Sequence, residues 1–154
     1  MELTLNTEQD MIRLGQIIGK KLHGGLFIAL FGDLGAGKTT LVKGIAEYFR
    51  IDHIQSPTFT IVREYDAHGI RLCHFDAYRL GDSDELYAIG FDDYLTDDSV
   101  IIMEWPQNVL DALPNDRLNI SLNGSGNEPR YVSIEPIGAK HSEFYGNIIK
   151  ELSL

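Results

Sequence analysis

Eight consecutive residues carry the densest chemistry in the chain: Gly32-Asp33-Leu34-Gly35-Ala36-Gly37-Lys38-Thr39. They fit the pattern G-x-x-x-x-G-K-[ST], a loop that cradles phosphate groups. Its glycines take turns that a Cβ would block and bring the backbone close to oxyanions. The amides along Leu34, Gly35, Ala36 and Gly37 are then free to point inward at phosphate oxygens. A helix opening near Lys38 adds unpaired N–H groups and the positive end of its dipole. Lys38 is placed to reach the β- and γ-phosphates, the Thr39 hydroxyl to ligate Mg²⁺, and Thr40 supplies a second hydroxyl beside it. These residue types in this order imply binding, and hydrolysis, of a nucleoside triphosphate with Mg²⁺.

Such a loop needs an acid at the end of a neighbouring buried strand, to hold Mg²⁺ directly or through water. Two segments offer one. Val100-Ile101-Ile102-Met103-Glu104 is an apolar run that closes on an acid, and Leu72-Cys73-His74-Phe75-Asp76 closes on another. Glu104 has the better strand; Asp76 has His74, Tyr78 and Arg79 nearby. If both strands flank the loop's own strand, one carboxylate holds the metal and the other orients the attacking water. His74 reads as a core histidine, and Arg79 equally as a charge stabiliser or a surface ion pair. Ser56-Pro57-Thr58-Phe59 follows the loop's helix, in a region that senses the γ-phosphate in many proteins of this type.

The elements that must position these residues are legible as periodicities. Glu2 to Leu5 reads as a short strand. Thr7 is a helix N-cap with Asp10 three residues on, and Met11, Leu14, Ile17, Ile18 and Leu22 then recur at helical spacing. Leu26 to Phe31 is a continuous apolar run, as expected of a parallel strand buried on both faces. A helix is predicted from about Thr39 to Phe49. Thr60 to Tyr65 and Ile70 to Phe75 flank Asp66-Ala67-His68-Gly69 as a hairpin. A short acidic helix starts near Gly81 to Glu85. Arg117 to Leu122 and Tyr131 to Ile134 read as a late antiparallel hairpin, and His141 to Leu152 as the last helix. The expected fold is α/β and P-loop-like: a small, mostly parallel central sheet with antiparallel strands at its margins and flanking helices. No linker divides the chain, so residues 1–154 read as one domain.

The bulk properties narrow the function classes. The formal net charge is -10, which disfavours direct, tight binding to nucleic acid phosphate. Cys73 is the only cysteine, so an internal disulfide and a cysteine-built zinc site are excluded. No apolar stretch approaches ~18 residues, so no membrane span is expected. The acidic start, Met1 to Asp10, reads as no signal peptide, and a cytoplasmic location is expected.

Four motifs now stand in one order in one short chain: GDLGAGKTT at Gly32 to Thr40, SPTF at Ser56 to Phe59, HFDAYRL at His74 to Leu80, and EWP at Glu104 to Pro106. The set resembles the TsaE family, formerly YjeE. The first motif is shared by any P-loop; the other three in this spacing are far more specific. The resemblance implies an ATPase needed for threonylcarbamoyladenosine at position 37 of ANN-decoding tRNAs. It implies partnership with a TsaB–TsaD pair, weak activity alone, and contact with tRNA only through that assembly. Carried over onto this chain, it gives Lys38 and Thr39 the phosphate and Mg²⁺ roles and makes Glu104 the magnesium acid. Asp76 becomes the acid that positions or activates water, and Thr58 the switch-like threonine. It also places Thr7, Glu8 and Arg130 where the family closes around the nucleotide.

Other readings share the loop. A small-metabolite kinase needs an arginine-bearing lid, and no Arg-rich segment is present. A GTPase-like switch lacks its guanine-reading N-K-x-D pattern, since no Asn is followed by Lys. A module that uses nucleotide as a structural ligand is the remaining alternative.

Overall fold

The two continuous apolar runs become the two innermost strands of a seven-stranded sheet. The computed structural model describes residues 1–153. In chain order the elements are β1 (Glu2–Leu5), α1 (Glu8–Lys21), β2 (Phe27–Phe31), α2 (Lys38–Tyr48), β3 (Val62–Ala67), β4 (Ile70–Asp76), α3 (Ser83–Ala88), β5 (Ser99–Glu104), β6 (Arg117–Asn123), β7 (Arg130–Ile137) and α4 (Ala139–Leu152), with 3₁₀ turns at Phe91–Tyr94 and Pro106–Ala112. The sheet order is β1-β7-β6-β2-β5-β4-β3. The four central strands, β6, β2, β5 and β4, run parallel. β3 adds antiparallel at one margin, β7 and β1 at the other. The architecture is therefore the expected mixed α/β sheet, parallel at its centre and antiparallel at its edges.

Alternation along the strands sorts side chains into two cores. Ile28, Leu30, Leu72, Val100 and Ile102 face α1, α2 and α4. Phe27, Ala29, Cys73, Phe75, Ile101 and Met103 face the smaller layer formed by α3 and the 3₁₀ turns. Burial pushes the Cys73 thiol up to about 11, so it stays a protonated apolar group in that second core.

Helix α1 begins as Thr7 predicts. The Asp10 N–H donates to Thr7 Oγ1 at 3.0 Å, and the Asp10 carboxylate accepts from the Thr7 N–H at 3.2 Å. This reciprocal cap satisfies two orphan donors of the first turn. Helices α1 and α2 then meet backbone to backbone. A Cβ on Gly15 would lie 2.5 Å from the Leu41 carbonyl oxygen, and one on Gly44 would lie 2.9 Å from Ile12 Cα. Glycine at both positions is what lets α1 press against the helix that carries the phosphate loop.

Several element boundaries differ from the sequence expectation, and three of the differences have a local backbone cause. β3 starts at Val62, because Ile61 has φ 71° and leaves the strand region. The hairpin turn is only His68-Gly69, with φ 55° and 89°, so the flanking Asp66 and Ala67 join β3; positive φ at both central residues matches the twist of a two-residue hairpin. The 3₁₀ turn after Glu104 was not foreseen: Trp105 enters it with φ 57°, a conformation its residue type does not announce. Among the described residues no helix is long and apolar enough to cross a membrane.

Candidate functional site

Parallel pairing and strand parity explain why distant residues meet. β4 and β5 run side by side in register, so Asp76 lies opposite Glu104, and Glu104 lies opposite Leu30 of β2. Leu72, His74 and Asp76 share one face of β4; Val100, Ile102 and Glu104 share the same face of β5. That face is the one α2 covers. All these strands end at the edge where the Gly32–Thr39 loop crosses into α2, a place where α/β sheets bind ligands.

The loop itself has the geometry its glycines permit. Gly35 and Gly37 take φ 81° and 107°. Gly37 precedes α2 and provides no side-chain cap, which leaves the first amides of an eleven-residue helix available to an anion. Lys38 is almost fully buried, donates from Nζ to the Gly32 carbonyl, and sits 3.7 Å above the centre of the Trp105 ring. Burial pulls its ammonium below the ordinary lysine value, against the opposing pull of Glu104, Asp76 and Asp33. Trp105 is half-buried and tilts against Tyr78 at 4.9 Å between ring centres.

The two acids are both about 3% exposed but have different neighbours. Glu104 Oε2 lies 3.5 Å from Thr39 Oγ1 and 2.6 Å from His74 Nε2. Asp76 accepts from the Thr58 hydroxyl at 2.9 Å through Oδ2 and from the Tyr78 N–H at 2.9 Å through Oδ1. Thr58 also shares a 2.8 Å hydrogen bond with Ser56 Oγ. Glu104 is thus grouped with the loop threonine, and Asp76 with the Ser56–Phe59 segment. Among the described residues Arg79 makes no ion pair; its guanidinium lies 4.4 Å above the exposed Phe59 ring.

One cavity of about 630 Å³ gathers these groups. Lys38, Thr39, Thr40, Thr58, Asp76 and Glu104 line it, together with Leu34, Gly35 and Gly37. Thr7 and Glu8 approach from the start of α1, and Arg130 from β7. The Ala36 side chain is packed into the core instead, and what it offers is backbone. Its carbonyl accepts from Arg130 Nε at 3.2 Å, and the Gly35 carbonyl accepts from Arg130 Nη2 at 3.2 Å. Arg130 therefore ties the late hairpin to the phosphate loop. Tyr78, from the HFDAYRL motif, also lines the cavity, as do Asn6, Met11 and the Gly126–Glu128 turn; nothing in the sequence context of these last marks them for a site. His74 is the larger omission. The signal that finds it is parity, since it lies two residues before Asp76 on the same face.

Thr39 and Glu104 are the oxygen pair suited to Mg²⁺. Among the described residues no group of three or more His, Cys, Asp or Glu forms a metal cage. Two adjacent oxygen donors fit a hard cation that keeps several waters and shares phosphate oxygens with its nucleotide. The donor set therefore agrees with magnesium rather than with a transition metal.

Comparison with known proteins identifies the family. A family model described as "Threonylcarbamoyl adenosine biosynthesis protein TsaE" matches residues 5–132. The tRNA threonylcarbamoyladenosine biosynthesis protein TsaE of Bacillus subtilis (strain 168) is 38% identical over 151 residues, spanning 97% of this chain and 91% of that protein. Its namesake from Haemophilus influenzae is 41% identical over 115 residues, spanning 70% of this chain and 72% of that one. The crystal structure of Bacillus subtilis YdiB superposes with a TM-score of 0.84 at 27% identity, covering 98% of this chain and 95% of that chain.

Proposed function

The chain belongs to the TsaE family, and from that premise we propose that it is the ATP-binding and ATP-hydrolysing subunit required to form threonylcarbamoyladenosine at position 37 of ANN-decoding tRNAs. In this reading it works in the cytoplasm with the TsaB–TsaD pair, meets tRNA only through that assembly, and acts as one P-loop ATPase domain over residues 1–154. The observation that carries the reading is convergence. Lys38, Thr39, Thr58, Asp76 and Glu104 come from four separate segments and face one cavity.

The chain's own groups divide the chemistry. Amides of Leu34, Gly35 and Gly37 and the first turn of α2 hold the phosphates, with the Thr40 hydroxyl beside them, while the Ala36 N–H donates to the Asp33 carbonyl at 3.1 Å and closes the loop. Lys38 exchanges the Gly32 carbonyl and the Trp105 ring for β- and γ-phosphate oxygens, and the polyanion favours the ammonium form that burial disfavours. Thr39 and Glu104 would hold Mg²⁺, which would supply positive charge to offset that of the phosphates. Asp76 accepts a hydrogen bond from the attacking water, and Thr58 fixes the Asp76 carboxylate through Oδ2. Thr7, Glu8 and Arg130 close the cavity around the nucleotide, Arg130 by holding the carbonyl side of the loop so that its amides face inward.

Steady-state ATP hydrolysis, measured with and without the TsaB–TsaD pair, tests this. Weak turnover alone and a clear rise with the pair are expected. No rise under conditions where the three proteins co-elute would overturn the partner assignment. Calorimetry without heat for ATP, ADP or GTP in the presence of Mg²⁺ would overturn the nucleotide assignment itself.

A further inference from the structure

His74 is wholly buried, and only one of its ring nitrogens is satisfied. Nε2 meets Glu104 Oε2 at 2.6 Å, whereas Nδ1 is buried with no hydrogen-bond partner. Directly across the β3–β4 ladder, Arg63 pairs with His74, and the Arg63 Nε is the other buried side-chain atom among the described residues that has no partner. Paired residues of adjacent strands present their side chains on the same face. Two orphaned polar atoms in a native fold ask for an explanation, and these two belong to residues paired across adjacent strands. An arginine nitrogen only donates, and an ionised carboxylate only accepts. Glu104 therefore calls for a proton on Nε2, which leaves a lone pair on Nδ1. A proton on Nδ1 instead would be a buried donor with no acceptor.

We propose that His74 is a positioning residue for magnesium binding: its Nε2–H fixes the Glu104 carboxylate with Oε2 beside Thr39 Oγ1, and Nδ1 is left as the bare lone pair of that tautomer. The assignment rests on the magnesium-nucleotide reading of the cavity and names the group that sets its metal affinity. A carboxylate at a strand end otherwise samples several rotamers, and each one it loses before the metal arrives favours binding. Partners that orient a ligating group outside the metal's own contacts change metal affinity about 10–100-fold when removed.

The test uses two substitutions that differ in where they place an amide N–H. His74→Gln carries its N–H near the imidazole Nε2 position, and His74→Asn near the Nδ1 position. The measurement is a calorimetric titration of Mg²⁺ into the full-length protein with ADP, beside ADP affinity in EDTA. His74→Asn is expected to raise the Mg²⁺ midpoint at least ~10-fold. His74→Gln is expected to stay within about threefold of wild type, and ADP affinity in EDTA within about twofold for both. Equal Mg²⁺ shifts in the two variants, no shift in His74→Asn, or an equal loss of affinity in EDTA overturns the assignment. Should His74→Asn fail to fold, a long-range ¹⁵N–¹H spectrum of the wild-type ring decides: a proton on Nε2 is expected, and a proton on Nδ1 in its place overturns the proposal. The two levels separate cleanly. Absence of any Mg²⁺ dependence in the wild type removes the magnesium-nucleotide reading and this assignment with it. Wild-type dependence that His74→Asn retains removes the assignment alone.

Discussion

Two buried histidines, one near each end of the central strands, both face a carboxylate, and they are partnered differently. At the end where β2 begins, His141 of α4 has both ring nitrogens occupied. Nδ1 lies 2.5 Å from Asp116 Oδ1, and Nε2 accepts the Phe27 N–H at 2.9 Å. Asp116 also accepts the backbone N–H groups of Lys140 and His141 at 3.2 and 3.1 Å. It thereby caps α4, whose own Gly138 provides no side-chain cap. At the other end, His74 has one nitrogen on Glu104 and one with no partner. A closed network fixes a fold; an open one is tolerated where a ligand or a moving group gives it a use. The first end joins helix to sheet, and the second faces the cavity.

The largest test of this contrast is a reciprocal pair of variants. Lys38→Ala is expected to reduce ATP hydrolysis at least ~100-fold, the scale seen when a donor to transition-state charge is lost. Its melting temperature should stay near wild type, because the lysine is a desolvated cation held by no carboxylate contact. His141→Leu is expected to do the reverse. It leaves the Phe27 N–H and the Asp116 carboxylate short of a partner, a cost of about 2–4 kcal/mol, which lowers the melting temperature by roughly 4–16 °C for a chain of this size. Nucleotide affinity should be unchanged. Thermal melts and ADP titrations of both proteins read the result, and a Lys38→Ala protein that melts early while still hydrolysing ATP would break the comparison.

A smaller effect separates the two acids at the cavity end. Glu104→Ala is expected to weaken Mg²⁺-dependent nucleotide binding about 10–100-fold. Asp76→Ala should bind nucleotide within a few-fold of wild type and slow turnover by about 10²-fold. Removing a metal ligand costs the ground state, whereas removing a water-positioning group costs the transition state. Equal loss of nucleotide affinity in both variants would erase the division of labour.

The cavity end was far more legible in the sequence than the α4 end, for a physical reason. The phosphate loop is local: its glycines, Lys38 and Thr39 are contiguous, and the helix that follows is predictable from its own residues. Asp76 and Glu104 close apolar runs, so their types and places were readable. Their register was not, because strand order is a long-range property. Without it, His74 reads as a core histidine near Asp76, whereas it pairs with Glu104, thirty residues away. The same limit hides the partners of Arg130: the resemblance places the residue near the nucleotide, but not against the carbonyls of Gly35 and Ala36. It hides Gly15 and Gly44 as well, since each is small only because the other helix is there. His141 looks like an ordinary first-turn residue until Asp116 and Phe27 are brought to it.

The smallest effect is a pH dependence confined to the α4 end. Burial depresses the His141 ring below its ordinary value of 6.5, more than Asp116 raises it, with Lys140 and His23 adding to the depression. The unfolded chain therefore binds this proton more readily than the folded one. The stabilisation is fully present above about pH 6.5 and is lost as pH falls through the lower, folded value. The slope from this one group reaches at most about 1.4 kcal/mol per pH unit. Asp116 acts in a lower window. Desolvation pushes its carboxyl up, but hydrogen bonds from His141 and the Lys140 and His141 amides outweigh that and hold it below 3.8, so its contribution disappears only in stronger acid. Denaturant unfolding of wild type and His141→Leu between about pH 7 and pH 5 isolates the histidine term. The wild-type curve should fall toward the variant's as pH drops, narrowing the gap between them. A gap that stays constant across that range would mean that the ring takes up its proton without giving up the Phe27 amide. The closed network would then be no more restrictive than the open one at the cavity.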